Sequence, residues 1–285
     1  MRHGILLIDK PEGPTSHDIV QMARKALGER AIGHIGTLDP AASGLLVLFV
    51  GKKALKTIEL FKSLNKEYEA RIAFGKISST YDRDGHIEDF PQKKGWKIPA
   101  DIELIKILND KFTGLIRQVP PSHSAVHVLG KRAYEIMRKN PDAILDLNER
   151  EIRISKMQLV SYEYPHCMLK IGCSSGTYIR SIANDLGEVL KCGGYLEGLR
   201  RTRVGNWNIK DATDENIVWP NVIPLKEVLS GFPKIELNDE QFEDIKHGRL
   251  IDGKITEYPC IGWHGGLPVG ILKMKEGKVH GRKVF

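Results

Sequence analysis

Hydrophobic spacing changes along the chain, and each change marks an element. GILLID (4–9) is a short apolar run that predicts a strand. In SHDIVQMARKALG, Ile19, Met22, Ala23, Ala26 and Leu27 recur at helical spacing, with Ser16 as the expected N-cap and Gly28 as the stop. LLVLFV (45–50) is uninterrupted and reads as a strand buried on both faces, followed by a short helix in KKALKTIELF. EYEARIAF (67–74) alternates as a half-buried strand does and runs into the turn-rich GKISSTYDRDG. DIELIKILNDKFTG predicts an amphipathic helix closed by glycine.

Farther on, EIRISKMQLVSYEY and HCMLKIGCS read as two strands. TYIRSIANDLGEVL reads as a helix with Ile179, Ile182, Ala183, Leu186 and Val189 on one face. The Pro- and Trp-containing stretch 218–233 has the character of a connector. Beyond it lie a helix in NDEQFEDIKHG and strand-like PVGILKM and KVHGRKVF. Runs of strands with separated helices favour α+β over alternating βαβ units. The expected division is a main domain over 1–230 and a small β-rich domain over 233–285.

Composition narrows the class. The longest apolar run, LLVLFV, is far short of the ~20 residues a membrane span needs. The opening MRHGILLIDKPEG reaches an acid at Asp9, unlike a signal peptide. Cys167, Cys173, Cys192 and Cys260 form no CxxC pair and no zinc spacing, so reduced thiols in a cytoplasmic protein are expected. A formal charge of +7 favours an anionic partner, nucleic acid first. From residue 233 on, nine Lys and Arg face eight Asp and Glu, so the surplus lies in the larger segment.

Two stretches carry candidate chemistry. GCSSG (172–176) matches the G-x-S-x-G of a hydrolase elbow, with His247, His264 and His280 downstream. The preceding elements do not alternate as a hydrolase sheet does, and a plain helix start explains the glycine and serines better. GHIGTLDPAASG (33–44) holds a single acid, Asp39, among glycines and before Pro40. A tight turn capped by Asp39 and a functional carboxylate fit these residues equally well. Arg180, in SSGTYIRSIANDLG, is a candidate partner that would keep such an acid ionised and oriented. No second or third ligand is clustered near Asp39 in sequence, which argues against a metal role.

GHIGTLDPAASG resembles the signature loop of the TruB family of tRNA pseudouridine synthases, roughly G-H-x-G-[TA]-L-D-P-x-A-[ST]-G. The likeness continues in order through LLIDKPEGPTSHDIV, NKEYEA, GKISSTYDRDG, PPSHSAVHVLGKRAYEIMR, SSGTYIRSIANDLG and LRRTRVG, across residues 4–205. The C-terminal segment more weakly resembles a PUA-type RNA-binding domain. The resemblance implies an α+β catalytic domain on a mixed, mainly antiparallel sheet of pseudouridine-synthase type. It also implies isomerisation of uridine 55 in the T-loop of tRNA on a flipped-out base, with no cofactor and no catalytic metal.

By the same resemblance Asp39 is the essential acid, either nucleophile or ribose-activating base, and Arg180 pairs with it. Tyr68 stacks on the target base and takes part in proton transfer. His34 fills the space left by flipped nucleotides, Lys10 supports the site, and Leu199 packs beside the base. Arg200, Arg201 and Arg203 are read as phosphate contacts or a solvated basic face. His127 departs from the family pattern, which has Lys there, and implies a weaker, pH-sensitive contact. The implied partners are the tRNA T-loop and stem; no membrane and no obligate protein partner is expected of a monomer. The start of the chain at its GILLIDK block favours the stand-alone tRNA enzyme over a guide-RNA-dependent relative or a catalytically dead RNA binder.

Overall fold

In the computed structural model, residues 3–124, 126–128, 130–140, 143, 145–214 and 222–285 are described. The main strands are β1 (Gly4–Lys10), β2 (Ile32–Ile35), β3 (Ala42–Val50), β4 (Lys66–Phe74), β5 (Gly114–Gln118), β6 (Arg150–Glu163), β7 (His166–Cys173) and β8 (Gly194–Val204). Helices α1 (Ser16–Leu27), α2 (Lys52–Thr57), α3 (Asp101–Lys111), α4 (Ala133–Lys139) and α5 (Ile179–Val189) connect or cover them. They build a mixed, mainly antiparallel sheet in the order β1-β3-β8-β4-β7-β6-β5, with β2 added beside β3. Among the described residues, only β3–β8 and a two-residue pair beside β1 run parallel within it.

The apolar run of β3 is explained by burial on both faces. Leu46, Leu48 and Val50 pack with Leu6, Ile8 and the α1 residues Ile19, Val20 and Ala23. Leu45, Val47 and Phe49 face the other way. Fully buried leucines such as Leu46 and Leu48 contribute roughly 1.5–3 kcal/mol each. On the far half of the sheet, Tyr68, Ala70, Ile72, Leu169 and Ile171 pack under α3 and α5. The reverse face there is charged, with Glu67–Arg203 and Glu69–Lys170 pairs, which accounts for the alternation of EYEARIAF.

A four-stranded sheet follows, in the order Lys234–Glu236, Cys260–His264, Leu267–Lys275 and Lys278–Val284. A helix (Asp239–Lys246), capped by Asn238, packs on it. Ile261, Trp263 and Ile271 share a core with β1, β3 and Phe61, so the small C-terminal β domain is seated on the larger one. Glu59 pairs with Arg282 and Lys283 at the same seam.

Several expectations change. The N-cap of α1 is Thr15, in a capping box with Asp18, and Gly28 ends the helix at φ 63°. Ser16 is the first helical residue and is buried. The loop 33–44 is half strand: β2 takes its first three residues and β3 its last three, leaving 36–41 as the turn. β8, the strand joining the two halves of the sheet, is not expected from GYLEGLRRTRV, whose three arginines mask its pattern. Of the connector 218–233, residues 218–221 lie outside the described residues and Leu225–Leu229 is a short helix.

Two glycines of positive φ test this packing, Gly28 within the left-handed α region and Gly44 beyond it. At Gly44 (φ 103°) a Cβ would lie 2.3 Å from the Arg201 carbonyl oxygen, whereas at Gly28 nothing lies within 4 Å. Gly44→Ala is expected to lower unfolding free energy by about 3 kcal/mol or more, and Gly28→Ala by about 1 kcal/mol, in urea melts.

Candidate active site

The turn at 36–41 is held from below by α1 and β1. The Ser16 hydroxyl donates to the Leu38 carbonyl and accepts from the Leu38 N–H, both at 2.9 Å. Lys10, fully buried, donates through Nζ to the carbonyls of Pro11 (2.7 Å), Pro14 (2.8 Å) and Pro40 (3.4 Å). The Gly13 N–H also reaches the Pro40 carbonyl, at 2.9 Å. From the side, Arg83 bridges Glu12 and the Ala41 carbonyl. Asp39 therefore stands on a loop whose backbone is tied at Leu38, Pro40 and Ala41.

Arg180 meets it from the first turn of α5. Its Nε lies 3.2 Å from Asp39 Oδ2, and its Nη1 lies 3.2 Å from Asp82 Oδ2. The same guanidinium donates to the carbonyls of Thr80 (3.4 Å) and His123 (3.1 Å). Asp82 is itself held, accepting from the Thr80 hydroxyl and the Asp84 N–H. Tyr81 between them takes a left-handed φ of 64°, unusual for an aromatic residue, and its carbonyl accepts from Leu196 N–H. Packing around the Asp39 carboxyl pushes its pKa above the ordinary carboxylate value; Arg180 opposes this, and Asp82 and Asp84 add to the rise.

Lys10, Gly44, Arg201, Tyr68 and Ile171 form one cross-strand row over β1, β3, β8, β4 and β7. Opposed residues project on the same side of a sheet. Tyr68 is buried, and burial pushes its phenol pKa up while the Arg201 cation pulls it down. Leu199, half-buried, lies across from Ala42 and Ala70 in the neighbouring row. His34 bonds Thr37 Oγ1 at 3.2 Å, and burial, then Arg201, lowers its pKa, which favours a neutral ring. All six residues singled out in the sequence thus lie on the turn, its supports or the adjoining rows. Chemically the arrangement offers two carboxylates paired with one guanidinium, of which Asp39 is the more exposed, a neutral phenol and a neutral imidazole. Among the described residues no group of three or more His, Cys, Asp or Glu is placed to hold a metal ion.

A family model described as "TruB family pseudouridylate synthase (N terminal domain)" matches residues 24–179, more than half of the chain. The chain belongs to the TruB family. A second model, "tRNA pseudouridylate synthase B C-terminal domain", matches residues 180–218 of this TruB chain, which hold α5 and β8. A tRNA pseudouridine synthase B of Clostridium kluyveri is 38% identical over 86% of this chain and 84% of its own length. One from Leifsonia xyli subsp. xyli is 37% identical over 94% of this chain and 88% of its own. Among solved structures, the archaeal box H/ACA sRNP Nop10-Cbf5 complex contains a chain matched at TM-score 0.70 and 19% identity. The match covers 99% of this chain and 86% of that one, a likeness of fold.

Two readings of the TruB sequence are corrected by the geometry. The serines of GCSSG serve the backbone: Ser174 Oγ accepts from Arg153 N–H and Ser175 donates to the Lys62 carbonyl. The arginines of LRRTRVG are not a free basic face, for Arg200 pairs with Asp9, Arg203 with Glu67, and Arg201 is fully buried. His127 is exposed, on a two-residue strand opposite Arg132. Sequence reasoning misses Asp82. The Thr-x-Asp spacing within GKISSTYDRDG, which lets a hydroxyl hold a carboxylate, is the signal that could have found it.

Asp82→Asn removes a like charge beside Asp39 and so lowers the Asp39 pKa. Any activity that needs the Asp39 carboxylate ionised is then expected to persist to lower pH, its acid limb shifting downward in a pH–rate profile, with the maximal rate reduced as the turn loosens.

Proposed function

We propose that this TruB-family chain is a pseudouridine synthase that isomerises uridine 55 in the T-loop of tRNA, with Asp39 acting on the flipped-out nucleotide. The observation that carries the reading is the Arg180–Asp39 pair, 3.2 Å apart, on a turn whose backbone is tied at Leu38, Pro40 and Ala41. Its TruB membership and its relatives named tRNA pseudouridine synthase B support the substrate class.

The reaction is balanced without a co-reactant. The bond from C1′ to N1 breaks, the uracil turns, the bond from C1′ to C5 forms, the C5 proton leaves and N1 takes one up. Such a change needs a carboxylate aimed at the nucleotide, a surface that holds the detached base, and a group that handles the proton. Asp39 is the first, as nucleophile or as the base that activates the ribose. Arg180 keeps it ionised against burial and fixes its direction. Tyr68 supplies the surface, where aromatic stacking returns roughly 1–3 kcal/mol per base against the few that flipping costs. Its phenol, held protonated by burial, is also the proton-handling group. His34, neutral, occupies the space of the displaced nucleotides, Leu199 packs beside the base, and Lys10 holds the turn through Pro40.

The TruB chain acts in the cytoplasm as a monomer on bare tRNA, gripping T-loop and stem, with a catalytic domain over 1–230 and a small PUA-like RNA-binding domain over 233–285. The fit to relatives named as tRNA enzymes favours this over a guide-dependent role.

Tritium release from tRNA labelled at uridine C5 tests the assignment. Asp39→Asn is expected to lose at least about a thousandfold in rate while retaining tRNA binding; release at the wild-type rate contradicts it. The fold responds in the opposite sense. A carboxylate with a raised folded pKa contributes stability below its unfolded pKa, about 4, and loses it as pH rises through the folded one. Relative to wild type, the Asp39→Asn protein is therefore expected to gain stability from about pH 4 upward, as read from denaturant melts.

A further inference from the structure

Arg201 is the largest fully buried side chain among the described residues. Its Nε donates to the Leu45 carbonyl at 2.7 Å, while its Nη2 is buried with no hydrogen-bond partner among the described residues. Its neighbours Arg200 and Arg203 each have an acid; Arg201 has no carboxylate within ion-pair distance among the described residues. A buried, incompletely satisfied guanidinium destabilises a fold, and it persists where the surroundings are built to hold it.

The surroundings of Arg201 are built in this way. Two glycines of the Asp39 loop make room for it: a Cβ on Gly44 would strike its backbone, and one on Gly36 would lie 3.1 Å from Nη1. The residue opposite it on β4 is Tyr68, in the row that begins at Lys10. Opposed side chains on adjacent strands start about 5 Å apart at Cβ, within reach for an arginine and a phenol. The field of this cation is felt around the pocket. After burial, it is the main influence lowering Lys66, to about 8, and it also lowers His34 and pulls down the Tyr68 phenol.

We propose that Arg201 is the positioning residue for Tyr68, its spare Nη2–H being the donor that fixes the phenol oxygen while the ring lies against the target base. The proposal rests on the reading of Tyr68 given under the proposed function. A donor from the floor of the sheet leaves the ring face free for stacking. It also holds the oxygen at one point, which a ring buried only by apolar neighbours would not ensure.

The test is a double-mutant cycle on tritium release, with tRNA Kd measured in parallel. Arg201→Gln is expected to lower kcat about tenfold or more with Kd changed less than about twofold, and Arg201→Lys to restore part of the loss. In a Tyr68→Phe background the same Arg201→Gln change is expected to cost less than about threefold. Equal losses in both backgrounds, or a loss confined to Kd, would overturn the proposal alone. A Tyr68→Phe protein with wild-type kcat would overturn the reading of Tyr68 and the proposal with it. Because Arg201 is a core residue, a second measurement leaves it intact: arginine side-chain 15N spectra of wild type and Tyr68→Phe, each bound to tRNA. The Arg201 Nη signals are expected to shift on loss of the hydroxyl; unshifted signals overturn the contact whether or not the Arg201 variants fold.

Discussion

One guanidinium holds the site together. Arg180 reaches four acceptors from three separate segments: Asp39 on the turn between β2 and β3, Asp82 and the Thr80 carbonyl on the 75–85 turn, and the His123 carbonyl. A planar fork with five donors can satisfy such a set where a lysine cannot. Its removal would leave two carboxylates near one another, Asp82 buried and Asp39 half-exposed, so the position of each segment depends on it.

The acids in turn set the strength of the site. Burial lifts the Asp39 pKa above the ordinary carboxylate value; Arg180 opposes the rise, and Asp82, which shares that cation, adds to it. The supports below, Ser16, Lys10 and Arg83, act on backbone atoms of Leu38, Pro40 and Ala41. They fix where the carboxylate stands without competing for it. Arg180 binds the carboxylate itself and fixes where it points.

Periodicity reveals the buried β3, the alternating β4 and helices α1, α3 and α5, because each buries a face that its spacing displays. It misses β8. A central strand with Arg200, Arg201 and Arg203 violates the usual pattern, and it survives because two of them find acids across the sheet and the third is enclosed. Partners 191 residues apart, as Arg200 and Asp9 are, leave no local signal. The Asp39–Arg180 pair is legible in the sequence only as a pair of candidates. That Asp82 shares the same arginine is not, since one carboxylate in a turn of polar residues looks like a cap. Ser16 likewise has the chemistry of a cap, and its hydroxyl turns inward because Thr15 already closes the helix.

The central claim is that an acid held by Arg180 on the turn between β2 and β3 acts on one uridine of tRNA. Chemical mapping of pseudouridine along an unmodified tRNA transcript, after incubation with the purified chain alone, tests it most directly. The account predicts one modified position, uridine 55 in the T-loop, and none when Asp39 is replaced by Asn. Modification at other uridines with position 55 untouched, or at position 55 without Asp39, would contradict it.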